Sequence, residues 1–409
     1  MRCLVRHLIP LKRAIKRNTP FFISMPGLFL ILINAGCSHT TPYYGPEVSC
    51  SAQAVNMDHA VRYRILLIGD AGSPARENEE PVLKTLREWA QAMPHRTLVV
   101  FLGDNILDNG MPPVADAQER KDAERRLAAQ LNVLTESGAR GLFIPGNHDW
   151  ANGGTDGQDA VHRQGQSVNQ ALPGDDNFLP TGGCPGPSVQ TEAEQHGVRL
   201  IVLDTHWWLH REGKPISPCG ISDENDVIHQ LEDLLSTAGG RHVLVVAHHP
   251  LSTHGPHGGF FDWKDHLFPT THLAGWLWLP TPILGSLYPL GRRYLFQSQQ
   301  DLVGSDNRYM AGRLKDALKK VKPLIYASGH EHSLQVLKGG VVADYFLVSG
   351  AGSSETITPV GHGDHTLFAH SHAGLMAVDF MEDERVLLRV IEPGEKRPLF
   401  LMWLCSGAD

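Results

Sequence analysis

The chain has 409 residues, enough for one large domain or two smaller ones. Hydrophobic residues make up 42% and charged residues 20%, the balance of a soluble globular protein. With a formal net charge of −8 and no lysine- or arginine-rich block in its body, no nucleic-acid binding is expected.

The N-terminus differs from the rest. "MRCLVRHLIPLKRAIKR" is basic and has no acid, "FFISMPGLFLILI" is apolar, and "NAGC" follows. A basic segment, a short apolar run and small residues describe a signal for export, expected over residues 1–36. At ~1.5 Å rise per residue the apolar run reaches only ~20 Å, short of the ~30 Å hydrocarbon core. "NAGC" resembles a bacterial lipobox, which implies an acylated Cys37 and membrane contact through an N-terminal lipid; Asn34 departs from the aliphatic residue that the pattern prefers. The expected location is the periplasm or the outer membrane as a lipoprotein. An uncleaved inner-membrane anchor and plain secretion are the alternatives. Export also suits a disulfide. Of Cys50, Cys184, Cys219 and Cys405, the pair Cys184–Cys219 is favoured because both sit in turn-rich loops.

Residues 37–60 read as a polar linker, 61–400 as one domain and 401–409 as a tail. Six apolar, β-branched-rich runs read as strands buried on both faces. They are "YRILLIGD" (63–70), "TLVVFLGDN" (97–105), "GLFIPGNHD" (141–149), "VRLIVLDTH" (198–206), "HVLVVAHHP" (242–250) and "LIYASGHEH" (324–332). Segments with apolar residues at helical spacing lie between them, three with acids early and a breaker or cap near the end. Three more strand-like runs follow, so the pattern is α/β with a β-rich C-terminal part. The stretch 266–296, inside an expected insert at about 260–300, is rich in Trp, Leu and Pro. Its prolines break regular helix, and it reads either as an insert packed on the core or as an apolar lid or membrane-facing patch.

Five of the six runs end in polar clusters: Asp70, Asp104, Asn147–His148–Asp149, His248–His249 and His330–Glu331–His332. Strands of one sheet that deliver polar residues at their carboxyl ends converge on one site. The glycines before Asp70, Asp104, Asn147 and His330 are expected to let the backbone turn sharply. Carboxylate, amide and imidazole suit Mn, Fe or Zn, and two histidines at i and i+2 past a strand can reach two different metals.

"GDAG", "GDN", "GNHD", "AHHP" and "GHEH" resemble, in order, the motifs of the calcineurin-like metallophosphoesterases. "GDAG" and "GHEHSLQ" are closer to the purple acid phosphatase branch, and further stretches resemble exported bacterial members. The resemblance implies a four-layer α-β-β-α sandwich with its metal site at the carboxyl ends of the strands. It implies two divalent or trivalent ions: Asp70, Asp104 and His332 on the first; Asn147, His248 and His330 on the second; Asp104 between them. His148 would contact the phosphate and protonate the leaving group, and Asp149 would orient His148. His254, His257 and Asn105 are the candidates for substrate binding, and His249 and Glu331 read as structural. Two departures stand out. Gly72 occupies the place of a first-metal histidine, and Leu107 that of the purple enzymes' tyrosine.

The function so implied is hydrolysis of phosphate esters by water activated between the ions, with monoesters favoured. The substrate would be a phosphorylated small molecule or a lipid. A diesterase or pyrophosphatase acting on a nucleotide- or lipid-linked substrate is the runner-up, favoured by the apolar insert. A lipoprotein that uses the fold as a non-catalytic binding module is the rival of another class, which Gly72 and Leu107 favour.

Overall fold

A computed structural model describes residues 41–46, 48, 61–77, 79–210, 213–215, 219–272, 277–282, 284–294 and 298–404. The expected signal segment and Cys37 lie outside the described residues. In chain order the strands are β1 (Tyr43–Tyr44), β2 (Val61–Ile68), β3 (Thr97–Phe101), β4 (Arg140–Phe143), β5 (Ser188–Gln190), β6 (Val198–Val202) and β7 (His242–Val246). They continue with β8 (Ile325–Ser328), β9 (Leu334–Lys338), β10 (Tyr345–Ser349), β11 (Thr366–His370), β12 (Leu375–Met381), β13 (Val386–Ile391) and β14 (Phe400–Leu404). The α-helices are α1 (Pro81–Gln91), α2 (Ala117–Ser137), α3 (Gly157–Ala171), α4 (Thr191–Gln195), α5 (Glu224–Ser236), α6 (Trp263–Leu267), α7 (Leu287–Tyr294) and α8 (Ser305–Leu318).

The strands form an eight-stranded sheet, β1-β11-β9-β10-β8-β7-β6-β5, and a six-stranded sheet, β14-β13-β12-β2-β3-β4. Side-chain alternation builds the layers. Ile65 and Leu67 of β2 join Leu98, Val100, Leu244, Val246, Ile325 and Ala327 in the core between the sheets. Leu66 and Ile68 point the other way, into a core with Leu83, Leu86 and Leu127 of α1 and α2. Val243 and Val245 likewise share a core with Leu231 of α5 and Leu314 of α8. The result is the four-layer α-β-β-α sandwich. Both faces of the inner strands are buried, which is why their sequences read as unbroken apolar runs. Helix ends follow local chemistry: Asp223 caps α5 by accepting from the Asn225 and Asp226 N–H groups, and Gly138 (φ 75°) ends α2.

Four expectations need correction. The six runs are divided between the sheets: β2, β3 and β4 are parallel neighbours in one, and β6, β7 and β8 in the other. Doubly buried strands look alike whichever sheet they join, so the sequence does not separate them. Residues 401–404 are strand rather than tail, paired with β13. Tyr43–Tyr44 of the supposed linker pairs with β11. The insert carries the helices α6 and α7; Pro289 is tolerated in α7 because it falls in the first turn, where its missing N–H costs no intrahelical bond. The expected Cys184–Cys219 disulfide is present and closes a 35-residue separation.

Candidate metal centre

The carboxyl ends of the two sets of parallel strands meet face to face. Gly69 N–H donates to Ser349 O (2.7 Å) and Ser349 Oγ to Leu67 O (2.7 Å). Asp70 follows β2, Asp104 follows β3 and Asn147 follows β4, all in the six-stranded sheet. His248 follows β7, and His330 and His332 follow β8, in the eight-stranded one. The sharp turns fall on the candidate ligands themselves: Asp70 (φ 58°), Asp104 (φ 54°) and His330 (φ 68°) are all left-handed, a conformation that costs energy outside glycine. Of the glycines expected to make these turns, only Gly103 has positive φ. Gly146 and Gly329 are needed for close approach: a Cβ there would fall 2.2 Å from Asp104 Oδ1 and 2.7 Å from Asp70 Oδ2.

Backbone carbonyls fix which nitrogen of each imidazole is bare. A carbonyl only accepts, so the ring nitrogen facing it must donate. His248 Nδ1 donates to Leu102 O (2.8 Å), His330 Nε2 to Gln300 O (3.2 Å) and His332 Nδ1 to Thr356 O (2.7 Å). The opposite nitrogens converge. His248 Nε2 and His330 Nδ1 are 3.2 Å apart, and each is 3.0 Å from Asn147 Oδ1. Asp104 Oδ2 is 3.4 Å from His248 Nε2, and His332 Nε2 is 3.3 Å from Asp70 Oδ1. Asp70 Oδ1 is buried without a well-aligned donor, while Oδ2 accepts from the His330 N–H (2.8 Å). A dense, buried set of lone pairs and carboxylates fits metal cations. Ligand atoms of Asp70, Asp104 and His248 lie within 4.8 Å of one another.

Electrostatics agree. Burial opposes charge on His248, but the Asp104 carboxylate and then Asp70 overcome it and lift the ring to about 9. Burial likewise opposes charge on His332, and Asp70 lifts it to about 9. His330, buried and surrounded by His257, His249 and His248, is pushed well below the usual range and stays neutral.

The other candidates divide. His148 Nδ1 donates to Asp108 O (2.7 Å), leaving Nε2 3.9 Å from Asp104 Oδ2, with the side chain 29% exposed. The expected Asp149–His148 pairing is not what the structure shows. Asp149 instead accepts from the N–H groups of Asn105 (3.1 Å), Ile106 (3.1 Å) and Gly146 (2.8 Å), so it ties the Asp104 loop to the Asn147 loop. Burial and then the neighbouring Asp104 charge push Asp149 up to about 7. Asn105 is part of that brace rather than open to substrate: it is buried, and its Nδ2 donates to Ile144 O (2.8 Å) and Asp149 Oδ2 (3.1 Å). His257 lies over His330, ring centroids 4.1 Å apart. His254 packs beside Gly363, with burial and then His362 and His365 depressing its charge. His249 is held on both nitrogens, by Thr205 Oγ1 (2.8 Å) and Gln300 Oε1 (2.7 Å), and its ring also offers a ligand atom within 4.8 Å of His248 and His330. Glu331 is buried and its Oε1 accepts from Gly258 N–H (3.1 Å), securing the loop that carries His257.

The departure at Gly72 has a steric reason. A Cβ there would fall 2.5 Å from Asp104 O and 2.7 Å from Asn105 C, so this backbone admits no histidine. Sequence reasoning missed Gln300 and Asp301, which follow the insert. Asp301 binds His257 Nδ1 (2.8 Å) and Arg292 (2.8 Å), while Gln300 reaches His330 and His249. It also left out Thr205, although the "DTH" ending the fourth strand-like run offered a polar signal.

Residues 63–334, about two-thirds of the chain, match the sequence model of the calcineurin-like phosphoesterases. No curated protein matches the chain. Among solved structures it is similar to GAP50, the anchor in the inner membrane complex of Plasmodium, at 15% identity and a TM-score of 0.49, covering 84% of this chain and 88% of that one. It is similar to a purple acid phosphatase isolated from yellow lupin (Lupinus luteus) seeds at 13% identity and a TM-score of 0.49, covering 84% of this chain and 54% of that one. It is also similar to a 5'-nucleotidase precursor from Thermus thermophilus at 11% identity and a TM-score of 0.34, covering 83% of this chain and 53% of that one. The chain thus spans about half the length of the last two. With a family match over residues 63–334, the chain belongs to the calcineurin-like phosphoesterases, metal-dependent hydrolases of phosphate esters.

Proposed function

We propose that the protein is an exported phosphatase that uses two metal ions to hydrolyse phosphomonoesters. The observation that carries this reading is the set of three imidazoles whose bare nitrogens are aimed by backbone carbonyls at the same pocket as Asp70, Asp104 and Asn147. Asp70, Asp104 and His332 would hold one ion, and Asp104, Asn147, His248 and His330 the other, with Fe, Mn or Zn the metals that suit these donors. When bound, the ions supply Lewis acidity and bring the pKa of water toward neutrality.

The protein's own groups do the rest. Asp149 fixes the separation of the Asp104 and Asn147 loops through backbone N–H groups. His148, anchored through Nδ1 and partly open to solvent, is placed to hand a proton from Nε2 to the departing oxygen. His257, over His330, borders the place where a phosphate would sit. Monoesters are favoured by "GDAG" and "GHEHSLQ", which resemble the acid phosphatase branch. The exposed apolar insert favours a second reading, hydrolysis of a lipid-linked diester or diphosphate. Export, and a lipid on Cys37, follow from the N-terminal sequence.

The test is metal reconstitution of the full chain, followed by assay against an aryl phosphate monoester and the matching diester. Loaded protein should cleave the monoester faster, and Asp104→Asn should abolish turnover with an unchanged circular dichroism spectrum. Near-full activity in that variant, or none in the loaded wild type, would refute the proposal.

A further inference from the structure

The insert concentrates apolar exposure. Trp263 (40%), Trp278 (56%), Leu279 (52%), Leu284 (68%), Leu287 (64%) and Leu290 (48%) all lie within residues 263–290. Leu284, Leu287 and Leu290 are spaced by three, the last two on α7, so they fall along one side. Residues 266–290 contain no Asp, Glu, Lys or Arg, and Arg292 just beyond them is already paired with Asp301. An uncharged segment with exposed Trp and Leu suits an element that lies in a lipid interface. No described helix is long and apolar enough to cross a membrane, so the element would lie on the surface rather than span it.

Chain geometry indicates what covers this face. Tyr43 lies six positions after Cys37, a reach of no more than ~22 Å at ~3.6 Å per residue. Tyr43 is pinned: β1 pairs with β11, and the Tyr43 ring stacks on His362 at 3.8 Å. Beside His362, Gly361 packs directly against Phe260, where the insert begins. The flank that receives the N-terminal chain is therefore the flank from which the apolar insert departs. At its far end the insert is locked to the centre, because Asp301 binds Arg292 and His257 and Gln300 receives the His330 N–H.

We propose that the face carrying Trp263, Trp278, Leu279, Leu284, Leu287 and Leu290 is a docking surface for a lipid bilayer, seating the hydrolase against the membrane with its catalytic centre coupled to the docked element. This rests on the reading of the protein as an exported hydrolase and adds the surface at which it works.

The experiment uses the full chain, loaded with Zn, and vesicles of phosphatidylethanolamine and phosphatidylglycerol whose acyl chains carry bromine, a contact quencher of tryptophan. The residues preceding the domain contain no tryptophan, so insertion of the N-terminal segment is silent. Wild-type emission should fall on mixing. The fall should disappear when Trp263, Trp276 and Trp278 are all changed to Phe. With those tryptophans retained, the combined Leu284→Ser, Leu287→Ser and Leu290→Ser variant should lose most of it. Hydrolysis of a soluble aryl phosphate should be unchanged in both variants. No quenching of the wild type, or quenching that survives the Phe variant, overturns the proposal. So does a stable dimer, measured by light scattering, that the serine variant dissociates, because a second copy then covers the face. Quenching without hydrolysis would instead refute the enzymatic reading and leave the docking intact.

Discussion

His330 Nδ1 lies 3.2 Å from His248 Nε2, while the other nitrogen of each ring is committed to a backbone carbonyl. Two such atoms can stay together only by sharing a proton or a cation. Without metal, the carboxylates draw protons onto His248 and His332, both lifted to about 9. Metal loading is then a competition with protons. Because both values are raised, the protonated forms dominate at neutral pH, and affinity should increase as pH rises toward about 9. Calorimetry in buffers of different ionisation heat should show close to two protons released per chain at about pH 7, and fewer above 9. Proton-independent binding would mean that these rings are not ligands.

His148 is held through Nδ1 by Asp108 O, so its Nε2 is the atom available for proton transfer. His148→Ala should lower kcat by about 10²–10⁴. The loss should be larger for alkyl phosphates, whose leaving oxygens need the proton, than for p-nitrophenyl phosphate. An equal loss for both would indicate a role in binding rather than in acid catalysis.

Asp149 accepts three backbone N–H bonds in a dry site. Asp149→Ala leaves those donors unsatisfied, at about 1–3 kcal/mol each, and should destabilise the fold by several kcal/mol in urea unfolding. Were Asp149 only an orienter of His148, activity would fall while the unfolding midpoint stayed put.

Asp301 is held below the ordinary carboxylate range. Burial opposes its charge, but the bonds from His257 and Arg292 prevail. A depressed carboxyl contributes stability that is full above its unfolded value, about 4, and is lost as pH falls through the folded one. The insert should therefore come loose below about pH 4. Limited pepsin digestion should cut within 260–300 first, and Asp301→Asn should make the same region sensitive to neutral proteases. Cutting elsewhere first would place the weak point in another part of the chain.

The candidate ligands were legible because metal chemistry demands particular side chains, and each stands just past an apolar run. What orients them was not. The groups that lock His248, His330 and His332 are carbonyls of Leu102, Gln300 and Thr356, and any residue has a carbonyl. The resemblance to the family pairs Asp149 with His148, yet successive side chains at the turn point different ways, and Asp149 turns inward to the loops. The division into two sheets was hidden because β2 and β8 carry the same doubly buried pattern. The anchoring of the insert by Asp301 depends on residues 44 positions from His257, a separation with no periodic signal.

Half of the ligand set comes from one sheet and half from the other, with the seam of the sandwich running between Asp70, Asp104 and Asn147 on one side and His248, His330 and His332 on the other. Ions seated there would act as rivets: cofactor loss would remove the catalyst and the fastening across the two halves together. For such a molecule, metal starvation and unfolding are neighbouring fates, and the supply of ions would govern how long each copy lasts.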